Sequence, residues 1–336
     1  MTERPVLVAP DAFKGTLTAA RVAGAIGRGL ESAGLRPPDL CPVADGGEGT
    51  ATVLLLGLGG EARGATVTDP LGRPRGAGFA IVEDGGAAVV DVAEATGLPL
   101  LAPSERDPLV ASSRGTGELL AVAARSGVDV VLLACGGSAT VDGGVGALAA
   151  LDDAGVRFGQ PHGPALVCLC DVRTPWEEAA DRFGPQKGAT DATLPELRRR
   201  MHAVADRLPR DPRGRSGTGA AGGLSGALWS AHDARLEPGA PFVLDALGVR
   251  ERIAASRAVV VGEGRLDATT LEGKAVSAVA VEARRAGVPC IAIVGEDALD
   301  PADARRIGLH DVVQAGDPAA IEGAAATVAG RLDAYR

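Results

Sequence analysis

The lysines of this chain are the residues best suited to binding an anion in a confined space. There are three of them, Lys14, Lys187 and Lys274, each beside a glycine, whereas the other 31 of the 34 basic residues are arginines. An ammonium group is a compact point charge that meets a phosphate oxygen in a tight pocket, a task for which a planar guanidinium is no substitute. A neighbouring glycine lets the backbone approach the same anion closely. The pattern therefore predicts phosphate-binding lysines.

Carboxylates form the second chemically capable group, and they follow predicted β-strands. They are Asp11, Asp45, Glu48, Asp142, Asp171, Glu263 and Asp267. Open α/β sheets bind ligands beyond the carboxyl ends of their strands, so these side chains are expected near a ligand. Neighbouring carboxylates repel one another unless a cation joins them, and Mg²⁺ with a nucleotide phosphate satisfies both the carboxylates and the lysines. Each carboxylate alone also fits a turn former or a helix cap.

A glycine-rich segment after the predicted strand at 129–134 offers a further place for an anion. Gly136 and Gly137 leave backbone N–H groups open, which suits an oxyanion or a phosphate. Ser138 and Thr140 follow directly and contribute hydroxyl groups. The same two hydroxyls equally fit caps of the next helix, so both interpretations stay open.

Two stretches match nucleotide-binding motifs in part, but the residues around them argue against those motifs. Residues 217–222 read GTGAAG and fit G-x-G-x-x-G, but a polar loop at 209–216 precedes them instead of a strand, which argues against dinucleotide binding. Gly273-Lys274 resembles the end of a Walker A loop, yet Ala275 stands where a Mg²⁺-binding Ser or Thr is needed. Lys274 is still predicted in the first turn of a helix, where free N–H groups assist anion binding.

Short apolar runs alternate with helical patterns along most of the chain, which predicts an α/β fold with mainly parallel sheets. Residues 6–9 are typical of a buried strand, and Val22, Ile26 and Leu30 mark one face of the helix that follows. The stretch from about 61 to 92 differs, because three β-rich runs are separated by turn residues. It predicts an antiparallel meander.

Length and composition agree with this fold. The 336 residues suffice for one large or two modest domains. Hydrophobic residues make up 46% of the chain and aromatic residues 2%, so an aliphatic core of parallel strands under helices is expected. We predict two different lobes, a discontinuous one at 1–65 and 255–336 and an inserted one at 66–254.

Charge and cysteine usage restrict the function classes. The net charge of −9 argues against nucleic acid and anionic membranes as partners. No apolar run reaches transmembrane length, and the first residues lack a signal-peptide pattern. The five cysteines form no CxxC pair and the four histidines lack metal-binding spacing, which argues against disulfides and zinc. We therefore expect a cytoplasmic protein.

Taken together, these motifs resemble those of the bacterial glycerate kinases, which phosphorylate D-glycerate with ATP. The resemblance is collinear from about residue 6 to residue 295 and includes all three lysines. Its stretches are APDAFKGTL at 9–17, PVADGGEGT at 42–50, GTGEL at 115–119, GGSATVDGG at 136–144, CDV at 170–172, FGPQKGA at 183–189, GAAGG at 219–223, GEGRLD at 262–267 and GK at 273–274. Two departures are Ala12, where the family usually has Ser, and RTPW at 173–176, in place of an Asp-Asn-Pro-Leu type of sequence.

The resemblance implies two different α/β lobes with the active site in the cleft, and 2-phosphoglycerate as the product. It implies in-line transfer of a γ-phosphoryl group, which depends on positioning and charge neutralisation. On this hypothesis Lys14 and Lys187 meet the substrate carboxylate or the transferring phosphoryl group. Lys274, with Gly262 and Gly264, serves the other anion.

The hypothesis gives the carboxylates separate roles. Asp45 or Asp171 orients the substrate hydroxyl or accepts its proton. Glu263 and Asp267 bind Mg²⁺, directly or through water. The remaining substrate- and phosphate-binding residues are Gly136, Gly137, Ser138, Thr140 and Asp142.

Other functions stay open on the sequence alone. A kinase for another small hydroxy acid would need the same groups, and a non-catalytic binding or sensor protein would keep the same scaffold. A dehydrogenase using residues 217–222 is a more distant alternative. The expected partners are D-glycerate and a nucleotide, and a homodimer is left open.

Overall fold

The structure, a computed structural model, describes residues 4–161 and 163–332. Its β-strands in these ranges are Val6–Val8 (β1), Asp39–Leu40 (β2), Gly60–Thr68 (β3), Pro74–Val82 (β4), Ala87–Asp91 (β5), Val130–Ala134 (β6), Ala165–Cys170 (β7), Arg235–Pro238 (β8), Ala258–Leu266 (β9), Cys290–Asp297 (β10) and Leu309–Gln314 (β11).

The α-helices in the same ranges connect or flank these strands. They are Ala19–Ser32 (α1), Thr50–Leu58 (α2), Val92–Thr96 (α3), Arg114–Ala124 (α4), Val145–Asp153 (α5), Ala179–Phe183 (α6), Leu194–Ala205 (α7), Leu224–His232 (α8), Gly239–Ala246 (α9), Val249–Ala254 (α10), Ala275–Ala286 (α11), Pro301–Ile307 (α12) and Pro318–Ala329 (α13). No helix among the residues described is long and apolar enough to cross a membrane.

The chain divides into two compact units. Unit 1 contains the residues up to Asp45 and those from Ala240 onward, and unit 2 runs from Gly46 to Gly239. Both breaks fall earlier in the chain than the sequence boundaries at 65/66 and 254/255. For the first break, β3 pairs along its whole length with β4 of unit 2. For the second, α10 packs on α11 of unit 1.

Unit 1 holds a parallel five-stranded sheet in the order β11-β10-β9-β1-β2. Its central strands are short aliphatic runs buried on both faces, as is typical of parallel sheets. Helices α1 and α13 pack closely because residue 29 is glycine, where a Cβ would lie 2.1 Å from the Glu322 carbonyl oxygen. Strands β1 and β9 are neighbours in register, Val8 opposite Val260, so the residues that follow their carboxyl ends lie together.

Unit 2 holds a six-stranded mixed sheet in the order β3-β4-β5-β6-β7-β8. Strands β3, β4 and β5 pair antiparallel, which confirms the predicted meander, and β5 to β8 pair parallel. With unit 1, this confirms the predicted α/β class with mainly parallel sheets. A second apolar cluster in this unit surrounds Trp176, which is fully buried and donates from Nε1 to the Met201 carbonyl oxygen at 3.0 Å. The RTPW departure thus supplies a core residue.

Some element bounds differ from those that the sequence suggests. The sequence pattern favours a strand that ends at Val43, but the strand is confined to β2. The Cys41 and Val43 amides still donate to the Val8 and Pro10 carbonyls. The apolar run at 258–261 predicts a short strand, but β9 continues to Leu266 because β10 pairs with it that far. Glycines at 262 and 264 conceal this extension in the sequence, since glycine weakens a strand pattern.

Candidate active site

Unit 1 contains a charged pocket of about 400 Å³ beyond the carboxyl end of β1, beside the end of β9. Residues that follow β1 and residues at the end of β9 form much of its wall. The charged lining is Asp11, Lys14, Glu263, Arg265, Asp267 and Lys274. The structure thus brings together four charged residues that the sequence had assigned to the site from separate segments, together with Gly264.

Asp11 is the most buried carboxylate of this pocket. It is 5% exposed, and its Oδ1 accepts a hydrogen bond from the Ala12 amide at 2.7 Å. Burial raises the pKa of Asp11 to about 8, the charge of Asp45 adds to the increase, and Lys14 opposes it. Burial therefore favours the protonated form of Asp11, and entry of a cation would favour the ionised form. From the sequence, Asp11 is one of the strand-end carboxylates expected near a ligand, but it is given no separate catalytic or metal-binding role.

Lys14 forms an ion pair with Asp45, with 3.3 Å between Nζ and Oδ2. Asp45 is buried, whereas the Lys14 side chain is 54% exposed, so the ammonium group stays accessible to a ligand. The Phe13 amide donates to the Leu17 carbonyl oxygen at 2.9 Å and fixes the turn that carries Lys14. Two of the predicted catalytic residues therefore meet in unit 1.

Glu263 is the second buried carboxylate of the pocket. Its Oε1 accepts a hydrogen bond from Thr270 Oγ1 at 2.9 Å. Burial raises the pKa of Glu263 to about 7, while the Thr270 hydrogen bond and the charge of Lys274 lower it. Two acids whose pKa values are raised by burial in one pocket are a frequent mark of a functional site, because a bound cation would offset the cost of ionising them.

The glycines on either side of Glu263 have a packing role. A Cβ at Gly262 would lie 2.7 Å from the Ile293 carbonyl oxygen, and one at Gly264 would lie 3.2 Å from the Phe13 Cα. Both glycines therefore let β9 approach β10 and the turn after β1. Their predicted part in anion binding stays a prediction.

Asp267 and Lys274 flank a short 3₁₀ helix, Ala268–Glu272. Asp267 caps this helix, because its Oδ1 accepts from the Thr269 amide at 2.9 Å and hydroxyl at 2.6 Å, and its Oδ2 lies 3.2 Å from Arg265 Nε. The Thr269 hydrogen bond lowers the pKa of Asp267. Lys274 is the N-cap of α11, one residue before the predicted first turn, because the left-handed Gly273 ends the preceding helix.

The fit of this pocket to Mg²⁺ depends on which oxygens are available. The described ranges contain no cluster of three or more His, Cys, Asp or Glu side chains that could hold a metal ion by itself. Mg²⁺ in phosphoryl-transfer enzymes usually takes one or two carboxylates and completes its shell with phosphate and water. The buried carboxylate of Glu263 fits that pattern better than Asp267, whose oxygens already have partners. The assignment of both residues to Mg²⁺ stays a prediction.

In unit 2, Lys187 is a buried lysine, 3% exposed. Its Nζ donates to Ser138 Oγ at 2.8 Å and to the Thr140 carbonyl oxygen at 2.9 Å, and it lies 5.6 Å from the centre of the Phe183 ring. No carboxylate of the described chain forms an ion pair with it. Burial lowers the pKa of Lys187 to about 7, against the opposing charges of Asp171 and Asp142.

The two hydroxyl residues beside Lys187 do not cap a helix. Helix α5 has Gly144 as its N-cap and no side-chain cap, so the capping interpretation of Ser138 and Thr140 is wrong. The Thr140 hydroxyl is buried without a hydrogen-bond partner. Ser138 Oγ accepts from Lys187 and keeps its own proton to donate. Both hydroxyl groups can therefore donate a hydrogen bond that no acceptor within residues 4–161 and 163–332 receives.

The glycines before Ser138 bring segments of unit 2 together. A Cβ at Gly136 would lie 2.6 Å from the Gly47 Cα and 3.0 Å from Asp171 Oδ2. The Gly136 amide donates to the Gly46 carbonyl oxygen at 3.3 Å, so the expectation that this N–H is open to an anion is wrong. Gly137 adopts the left-handed conformation, φ 78°, that the turn requires.

Both carboxylate oxygens of Asp142 accept hydrogen bonds that stabilise the fold of unit 2. Oδ1 accepts from the Gly144 amide at 3.0 Å, and Oδ2 accepts from the Ser113 amide, the Ser113 hydroxyl and the Gly146 amide at 2.8 to 3.2 Å. It therefore ties the start of α5 to the segment before α4. Repulsion between this carboxylate and a phosphate disfavours direct contact, so any effect of Asp142 on a ligand would act through Lys187.

Comparisons with known proteins cover nearly the whole chain. The model of the glycerate kinase family matches residues 6–167 and 159–333. A protein named glycerate 2-kinase from Escherichia coli is 38% identical over 325 residues, covering 86% of this chain and 84% of the relative. One named glycerate kinase from Halalkalibacterium halodurans is 37% identical over 328 residues, covering 86% and 85%. A crystal structure of a candidate glycerate kinase 2 from Salmonella typhimurium superposes with a TM-score of 0.80 at 32% identity and 99% coverage of both chains.

Proposed function

The chain belongs to the glycerate kinase family and is a kinase, and from this premise we propose that it transfers the γ-phosphoryl group of ATP to D-glycerate. The proposed products are ADP and 2-phosphoglycerate, the position that the name of the Escherichia coli relative carries. The observation that supports this most directly is the unit 1 pocket, where two lysines and two buried carboxylates line one space. Phosphoryl transfer needs such paired charges.

The lysines neutralise the anions. Lys14, accessible and held by Asp45, and Lys274, at the start of α11, would contact phosphate oxygens in the unit 1 pocket. The N-terminal amides of α11 add partial positive charge beside Lys274. In unit 2, Lys187 with Ser138 and Thr140 would bind the acid or the transferring phosphoryl group. Each anion then has a point charge and additional donors.

One of two carboxylates would handle the substrate proton. Asp45 stands beside Lys14, and Asp171 acts on Lys187 through its charge. A carboxylate next to an anion-binding lysine is well placed to orient a nearby hydroxyl and accept its proton as the oxygen attacks phosphorus. We propose that either Asp45 or Asp171 performs this step.

The carboxylates of unit 1 are proposed to hold Mg²⁺. Glu263 would contact it directly, and Asp267 through water, because the oxygens of Asp267 are already engaged. When bound with the nucleotide, this ion neutralises phosphate charge. Entry of a cation also favours the ionised forms of Asp11 and Glu263, whose pKa values burial raises.

A substrate panel tests the proposed acceptor. The purified protein is incubated with ATP and Mg²⁺ and, in separate reactions, with D-glycerate, L-glycerate, tartronate, hydroxypyruvate or glycerol, and ADP release is followed. We expect kcat/KM for D-glycerate to exceed that for every other compound by roughly 10-fold or more, because pocket contacts to single groups discriminate on that scale. A higher value for another acid would assign the enzyme to that acid.

A further inference from the structure

Arg106 is a half-buried arginine with no hydrogen-bond or ion-pair partner in the described part of the chain. It follows the short 3₁₀ helix Pro103–Glu105, and its Nε is buried with no hydrogen-bond acceptor. Across residues 4–161 and 163–332, every other arginine that lacks an acceptor or an aromatic contact is exposed. A buried guanidinium donor left unsatisfied is costly, so a ligand acceptor is the simplest reason to retain it.

The fold places the backbone of Arg106 against Gly188, the residue that follows Lys187. Gly188 follows Lys187 with a φ of +102°, and a Cβ there would lie 2.1 Å from the Arg106 carbonyl oxygen and 3.0 Å from the Arg106 Cβ. Only glycine allows this contact. Arg200 holds the same segment, because its Nη1 donates to the Leu109 carbonyl oxygen at 2.7 Å. The close packing of the Arg106 segment on the residue after Lys187 is therefore built into unit 2.

Among the described residues, Lys187 and the hydroxyl groups of Ser138 and Thr140 have no anionic partner, and neither has Arg106. Lys187 is buried without an ion pair, and Thr140 has a buried hydroxyl without a partner. The two carboxylates whose charges reach Lys187 are Asp171 and Asp142. The fixed charges of this neighbourhood nearly cancel, so a monoanion suits it better than the polyphosphate of a nucleotide.

We propose that Arg106 binds the carboxylate of the acceptor acid together with Lys187 and so determines the preference for an acid over a neutral alcohol. This inference rests on the proposed function. The planar guanidinium offers two parallel N–H groups that match the two oxygens of a carboxylate. Lys187 and its hydroxyl neighbours supply the remaining donors. Arg106 is a specificity residue that the motif analysis did not single out.

The test compares Arg106→Gln with Arg207→Gln, which changes an exposed arginine of the same unit. Steady-state kinetics gives KM for D-glycerate and for ATP separately, and calorimetry measures D-glycerate binding directly. We expect Arg106→Gln to raise KM and Kd for D-glycerate roughly 10- to 100-fold, as loss of a charge-assisted pair does, with KM for ATP within about twofold. The control should change neither constant. Arg106→Lys, which keeps the charge, should give an intermediate increase.

Two results would overturn the assignment of Arg106. An increase in KM for ATP alone would place a nucleotide phosphate at this arginine. If folded Arg106→Gln kept the wild-type KM and Kd values, Arg106 would bind neither substrate. The wild-type reaction separates this question from the proposed function. If the wild type phosphorylates a different acid and not D-glycerate, the proposed substrate is wrong, and KM for that other acid then tests Arg106.

Discussion

Asp11→Asn is expected to reduce kcat/KM by roughly 100-fold or more and to raise the melting temperature above pH 8. The side chain is nearly isosteric and keeps the hydrogen bond from the Ala12 amide. Activity falls because asparagine cannot ionise when a cation enters the pocket beside Lys14 and Glu263. Stability rises because the wild type must ionise a buried acid whose pKa is about 8.

The stability gain of Asp11→Asn is expected to increase with pH. The folded pKa of Asp11 lies above the unfolded value of 3.8, so the folded state binds more protons between about pH 4 and pH 8. The cost of ionising Asp11 is therefore absent below pH 4 and complete above pH 8. Scanning calorimetry at pH 5 and pH 9 should show a gain for Asp11→Asn that is larger at pH 9, by about 2 °C or more. Asp191→Asn, at an exposed position, is the control. A lower melting temperature at both pH values would contradict this account of Asp11.

Lys187→Met is the second change with a large expected effect. It should lower kcat/KM by roughly 100- to 1,000-fold, because an anion held in a buried site loses its point charge. The same change should stabilise the protein at pH 6 to 7. Methionine has a similar volume, and it removes a buried cation without an ion pair. The lost hydrogen bonds to Ser138 and the Thr140 carbonyl offset part of the gain, at about 1 kcal/mol each.

The two variants should respond to pH in opposite directions. The folded pKa of Lys187, about 7, lies below the unfolded value of 10.5, so the unfolded state binds more protons between these values. Wild-type stability from this residue is therefore lowest below pH 7 and recovers toward pH 10.5. The advantage of Lys187→Met should accordingly shrink as pH rises, while that of Asp11→Asn grows. Urea unfolding of the wild type and Lys187→Met at pH 6.5 and pH 10 measures this change in relative stability.

A conservative variant separates charge from shape at this position. Lys187→Arg keeps the positive charge but places a larger planar group in a site where the lysine is 3% exposed. We expect it to lose most activity as well, because the compact ammonium is what the site fits. Full turnover by Lys187→Arg, or unchanged kcat/KM in Lys187→Met, would show that the glycine-flanked lysines do not have the role given to them here.

Residue patterns that are local in the sequence predict much of the fold and several residues of the candidate site. The aliphatic run at β1 and the spacing of Val22, Ile26 and Leu30 identify a strand and a helix without tertiary information. The turn-separated runs before Val92 identify the meander. Lysines kept beside glycine in an arginine-rich chain point to positions that the fold places at a pocket or buries. These signals succeed because each depends on residues close in sequence.

Long-range contacts account for what the sequence did not reveal. Asp142 follows a glycine-rich run like a ligand-binding residue, yet Ser113, 29 positions away, occupies its carboxylate. Arg106 has no local motif, and its contact with Gly188, 82 positions away, is visible only in the structure. The raised pKa of Asp11 depends on burial and on Asp45 together. Such features arise from packing, which one-dimensional patterns do not encode.

The position of phosphoryl transfer is the most direct test of the whole account. The purified protein is given D-glycerate, ATP and Mg²⁺ in a reaction coupled to enolase, with phosphoglycerate mutase absent. Enolase accepts 2-phosphoglycerate and not the 3-isomer, so we predict steady formation of phosphoenolpyruvate that matches ADP release. ADP release without phosphoenolpyruvate would contradict the proposed product, and absence of ADP release would contradict D-glycerate as the substrate.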